Sequence, residues 1–293
     1  MQAVKAGEWR ARLAMRRGMA VMALLAWSTG GLIAQPILPL PPRDAAALTG
    51  SQFYERIREL PDAAREQTIL SEVRSGNVPG FLRRFVEVSI SETSNGVTHR
   101  ARYFVAPDYV AIGSDTDFFR VPMSAPLAQS VADLCSCTLP TRKMVNDIYQ
   151  RATGKVSPIP FSPAQIEITS PTVWWLSQKA IEDECTTRGA HVGELLAGLK
   201  KDIVITPLIS QRPPPPRVAI FGWHRLDGKP IQPLSLVHKA NYKDYSHGVR
   251  LVNQTVEVDG REMSVSAVLA DPELCWLLSD EGSFLNIRYP TDK

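Results

Sequence analysis

Two runs of alternating apolar residues, Val86-Val88-Ile90 and Ala101-Tyr103-Val105, stand on either side of Asn95-Gly96. Asn-Gly supplies the positive φ angles of a tight hairpin turn, and a period of two places one side of each strand against a core. The chain is therefore expected to build an antiparallel sheet with a covered face. Tyr109–Ile112 and Phe118–Val121 read as further short strands around the loop Gly113–Asp117. From Ile203 onward the pattern is again β: Ile203–Thr206, Val218–Phe221, Val249–Val252 and Thr255–Leu269. Asp259-Gly260 should turn a last hairpin between Val256/Val258 and Val265/Ala267.

Helical spacing occupies the other segments. Phe53, Ile57 and Leu60 share one helical face, as do Ile69, Leu70 and Val73, with Gly76-Asn77 and Pro79 as a stop. Ser124–Leu134, Pro140–Ala152, the stretch around Trp174–Glu184 and Gly193–Leu199 are also expected to be helical, and Cys275 to sit buried in a short helix at Pro272–Leu278. The expected fold is α+β, with N-terminal helices and a β-hairpin, central helices and a C-terminal, mostly antiparallel β region. A Gly-rich phosphate loop and regular βαβ alternation are both missing, which argues against a nucleotide-binding α/β fold.

Residues 1–34 read as a signal peptide. Lys5, Arg10, Arg12, Arg16 and Arg17 precede the apolar run Met19–Trp27, and small residues lead to Ala34. The run is short for a membrane span, which needs about 20 residues. The expectation is a secreted or periplasmic protein without stable membrane insertion once the leader is removed. Residues 35–50 read as a Pro-rich tether, and 51–293 as a single α+β domain, with 154–172 the place where a subdivision can fall. The whole chain carries +3; the leader holds five bases and one acid, which leaves −1 for the rest. A near-neutral protein has no electrostatic footprint for nucleic acid.

The chemistry-bearing residues crowd into Gly222–Arg250, which holds three of the five histidines. His224, His247 and Asp244 are the candidate catalytic groups, with a histidine as general base. Trp223, Lys229, Tyr242, Tyr245 and Arg250 are candidate substrate-binding groups, the aromatics for stacking and the cations for anionic groups. His238, Asp244 and His247 also make a plausible ligand set for a divalent metal such as zinc, two imidazoles and a carboxylate leaving a position for water. Asp244 and His247 would point to opposite faces of a regular strand, so sharing a site requires a turn at Tyr245-Ser246. Ser246-His247-Gly248 followed by Val249-Arg250-Leu251 resembles part of the L,D-transpeptidase signature, whose cysteine nucleophile would follow the glycine. Val249 follows it here, so the resemblance implies no transpeptidase chemistry.

Of the four cysteines, Cys137 and Cys185 are expected to pair in an oxidising compartment, with Cys135 as the other partner considered for Cys185. An alternative use of Cys137 is as a thiolate at the helix opening near Pro140, with His224 or His247 as base. Together these features lead to the expectation of an exported hydrolase-like protein acting on cell-envelope or extracellular glycan or peptidoglycan material. The other reading is a secreted, non-catalytic binding or structural protein whose partner is such a polymer or a small molecule.

Overall fold

A computed structural model describes residues 35–94 and 96–291; the expected signal peptide lies outside the described residues, as does Asn95. The described residues form one compact unit. Its elements, in order, begin with α1 (Gly50–Ile57), α2 (Asp62–Arg74), β1 (Val86–Ser94), β2 (Val97–Val105), β3 (Ala111–Gly113) and β4 (Phe118–Arg120). Next come α3 (Ala125–Leu134), β5 (Cys137–Thr138), α4 (Arg142–Arg151), β6 (Gly154–Lys155), α5 (Pro171–Arg188) and β7 (Leu196–Ala197). The C-terminal part holds β8 (Lys201–Ile203), α6 (Leu208–Gln211), β9 (Ile220–His224), β10 (Pro230–Ser235) and β11 (His247–Gly248). It closes with β12 (Val252–Val258), β13 (Arg261–Ser264) and α7 (Val265–Ala270). The fold is α+β.

The β1–β2 hairpin forms in full register, from Val86 opposite Val105 to Ser94 opposite Val97. Its alternating residues do what their period dictates: Val88, Ile90, Ala101, Tyr103 and Val105 are all buried. β12 adds to β2 and β13 to β12, both antiparallel, and β5 pairs with β12. A second sheet runs β10-β9-β8-β11, antiparallel except for the parallel pair β8–β11. Helix α4 packs against both β1 and β9, so it ties the two sheets together.

Helix starts follow local capping chemistry. Ser124, Thr141 and Ser170 each accept an amide hydrogen bond at the N-terminus of α3, α4 and α5, which satisfies a donor the helix cannot. Three expectations need correction. Gly193–Leu199 is not a helix; Leu196–Ala197 pairs in parallel with β6 instead. Val265 and Ala267 do not continue a strand. Asp259-Gly260 turns the chain with positive φ, but Ser264 then caps a helix that buries Val265, Val268 and Leu269, a 3-4 spacing rather than alternation. Residues 35–50 are not a free tether, because Leu38 is buried and Arg43 donates to Asn77 and to the carbonyls of Ala47 and Leu48.

Candidate functional site

The chain between β10 and β11 is exposed at Val237, Lys239 and Asn241 and turns inward from Lys243 onward to enter β11. Several contacts hold this segment in place. The Lys243 ammonium, only 5% exposed, reaches Asp62 at 2.8 Å and Glu66 at 3.0 Å on α2. The Tyr245 amide donates to the Ile168 carbonyl, and the Lys201 amide to the Ser246 carbonyl. The turn required at Tyr245-Ser246 is present, closed by the His247 amide on the Asp244 carbonyl at 3.1 Å.

That turn gathers four of the expected site residues. The rings of His238 and Tyr242 stack with centroids 3.9 Å apart and planes 13° from parallel, and His247 meets Tyr242 edge-on at 5.7 Å. The Tyr242 hydroxyl donates to Asp244 Oδ2 at 3.1 Å. Asp244 Oδ1 accepts from the Ser246 hydroxyl at 2.5 Å and from the Ser246 amide at 2.8 Å. Burial opposes the ionised form of Asp244, but His247, the Ser246 donors and Lys201 outweigh it and hold the carboxyl below its ordinary range. Burial, with the Asp244 charge adding to it, pushes the Tyr242 hydroxyl up.

His247 is fully buried, and neither ring nitrogen has a hydrogen-bond partner among the described residues. Burial pushes it down to about 4, so it is neutral at neutral pH, and with no exposed surface it offers no atom to a substrate. Among the described residues no group of three His, Cys, Asp or Glu side chains is placed to hold a metal ion. The zinc set expected from His238, Asp244 and His247 is therefore not assembled: the Tyr242 ring lies against both imidazoles, and both Asp244 oxygens are committed to hydroxyl and amide donors.

The other expected residues lie elsewhere. His224 is buried in β9, stacked on Tyr149 at 4.5 Å and bonded through Nε2 to Asn146 Oδ1 at 2.9 Å. Burial lowers it to about 4. With Trp223, Tyr109, Lys200, Asp202 and Arg250 it lines a narrow cavity of about 10 Å³, room for one water molecule. Asp202 accepts from the Tyr109 hydroxyl at 2.9 Å, and burial raises its carboxyl to about 6. Arg250 is no surface anion clamp. It is 1% exposed, lies over the Tyr109 ring and donates to the carbonyls of Ala106 and Leu196. Trp223 and Tyr245 are equally buried, packed edge-to-face at 6.0 Å, so neither offers a stacking surface. Lys229 is exposed on the turn joining β9 to β10.

All four cysteines are free and buried. Cys185 packs with Tyr109, Val156 and Ile181, while the Cys137 thiol donates to the Cys135 carbonyl, so the expected Cys137–Cys185 bridge is not made. Burial raises the Cys137 thiol well above its ordinary value, the opposite of an activated nucleophile.

Among the described residues, two open recesses meet at Asn241 and Tyr242. One, of about 400 Å³, lies between Arg217, Val237, His238 and Lys239. The other, of about 380 Å³, runs along Asp62, Arg65, Glu167, Ser170 and Trp174. Arg217, Asn241, Trp174, Lys200 and Asp202 were not singled out as site residues from the sequence. Lys200–Asp202, charges set between two apolar runs, were the visible signal; the burial of Lys200 and Asp202 depends on a strand pairing with residues 247–248. The chain matches no family model, no curated protein and no solved structure.

Proposed function

We propose that this chain is an exported binding protein whose ligand is a glycan or peptidoglycan-like polymer of the cell envelope or extracellular space, held along the groove centred on Tyr242. The carrying observation is that two recesses share Tyr242 and Asn241 as their common wall. A polymer lying across both meets an aromatic ring, an exposed side-chain amide and charged groups of both signs. Sugars are recognised by that combination: apolar C–H faces stack on aromatics while hydroxyls find donors and acceptors around the rim. The ring is also held in advance. His238 covers one face and Asp244 takes the hydroxyl, so little side-chain freedom is lost on binding.

Binding is better supported than hydrolysis, because His224 and His247 are buried and shifted away from the range useful to a general base at neutral pH. Export rests on the leader pattern of residues 1–34. Among the described residues no helix is long and apolar enough to cross a membrane.

The test is co-sedimentation with isolated peptidoglycan and with insoluble polysaccharides, followed by calorimetry with soluble oligosaccharides. The wild-type protein should bind, and an Asn241→Ala/Tyr242→Ala protein that retains its circular dichroism spectrum should lose at least about ten-fold in affinity. Equal binding by the double variant, or no binding by the wild type, would overturn the reading. Release of new reducing ends or peptides by the wild type would restore the hydrolase.

A further inference from the structure

Arg217 and Lys239 face each other across an isolated antiparallel bridge. Partners in such a bridge project to the same side, and two like charges placed directly opposite repel. Among the described residues neither cation forms a salt bridge, and the recess the two share with Val237, His238, Asn241 and Tyr242 has no acidic lining residue. The arrangement is also held in place. The His238 carbonyl accepts from the Val218 amide at 3.2 Å, and the Ala240 amide donates to the Pro216 carbonyl at 2.8 Å. The Arg217 guanidinium is oriented by its own Nη1 on the Val237 carbonyl at 2.6 Å, which leaves its remaining donors available.

We infer that this recess is a binding site for an oxyanion, a carboxylate or phosphate substituent carried by the polymer, gripped between Arg217 and Lys239 while the adjoining sugar ring packs along His238 and Tyr242. An incoming anion gains attraction from both cations at once, which offsets the cost of holding two like charges on one side of the bridge. Arg217 supplies the planar fork that suits an oxyanion, and Lys239 a movable point charge. The neighbouring recess carries Asp62 and Glu167 beside Arg65 and Lys243, so it lacks this bias. Specificity for an acidic polymer is then read at one end of the groove. This inference rests on the groove proposed above for the polymer.

The test separates the two claims. Oligogalacturonate, its fully methyl-esterified form of the same length and inorganic phosphate are titrated into the wild type and into Arg217→Gln/Lys239→Gln. The wild type should bind the acid form roughly five- to ten-fold more tightly than the ester at low salt, with the gap closing as salt screens it. The double variant should lose that preference, binding the acid form no more tightly than it binds the ester. Equal wild-type affinity for acid and ester overturns the oxyanion site and leaves the groove standing. If neither oligomer binds, the groove reading fails, and phosphate decides the site alone. A saturable phosphate-induced shift of the His238 ring resonances that disappears in the double variant supports it, and no such shift overturns it.

Discussion

Tyr242 and Asp244 are joined across a single intervening residue, the phenol hydroxyl of one donating to Oδ2 of the other at 3.1 Å. The half-buried ring that walls both recesses is thereby fixed to a carboxylate that is 4% exposed. Asp244 in turn holds the Ser246 hydroxyl and amide, so a surface aromatic, a buried acid and the turn before β11 behave as one unit.

Removing that carboxylate should be costly. In Asp244→Ala the Ser246 amide, the Ser246 hydroxyl and the Tyr242 hydroxyl all lose their acceptor, at about 1–3 kcal/mol for each donor left buried. Asp244→Asn keeps one carbonyl oxygen for the Ser246 pair and should lose less. Urea unfolding of both variants measures this. Equal stability of Asp244→Ala and wild type would contradict the network.

Acid stability should report on His247. Its folded value of about 4 lies below the 6.5 of a free imidazole, so between those values the unfolded chain binds more protons than the folded one. Stability therefore falls as pH drops through that window, by on the order of 3 kcal/mol for this group. Asp202 acts in the opposite sense. Raised to about 6 by burial, it takes up its proton in the folded state first and favours that state on the acid side. Denaturation midpoints across pH 4–7 should show a shallower acid loss in His247→Leu and a steeper one in Asp202→Asn. Superimposable profiles for wild type and His247→Leu would refute the assignment.

Gly248 should tolerate no side chain. A Cβ there would sit 2.5 Å from Tyr109 Cδ1 and 3.0 Å from Lys200 Cβ. The Tyr109 ring cannot swing aside, because it bonds Asp202 and lies under Arg250. Gly248→Ala should cost about 1–3 kcal/mol or more through overpacking, seen as a lower melting temperature. A melting temperature unchanged from wild type would mean that the β8–β11 pairing is looser than described.

The thiols should be inert in the folded protein. Burial raises Cys135 to about 12 and Cys185 to about 11, so neither is a thiolate at pH 8. Iodoacetamide should label the native protein slowly, and all four cysteines once it is denatured without reductant. Recovery of a cross-linked Cys137–Cys185 peptide would restore the disulfide.

By itself the sequence determined whatever depends on neighbours in the chain. The alternation around Asn95-Gly96 produced the β1–β2 hairpin, Ser124 and the residues after it a capped helix, and the Asp244/His247 spacing the need for a turn at Tyr245-Ser246. Periodicity and turn preference act over a few residues, so they can be read locally. Only the tertiary structure decided which polar residues meet. Lys200 and Asp202 are buried because β8 sits between β9 and β11, strands contributed by residues 220–224 and 247–248. His224 and His247 lie on different strands of that sheet, each in its own buried setting: one bonded to Asn146, the other without a partner among the described residues. Arg217 and Lys239 became neighbours through a bridge across 22 residues of chain. Period tells which face of a strand is apolar, but not which distant segment will cover it. That is settled by burying surface across the whole molecule, and with it the accessibility, charge state and partner of each titratable side chain.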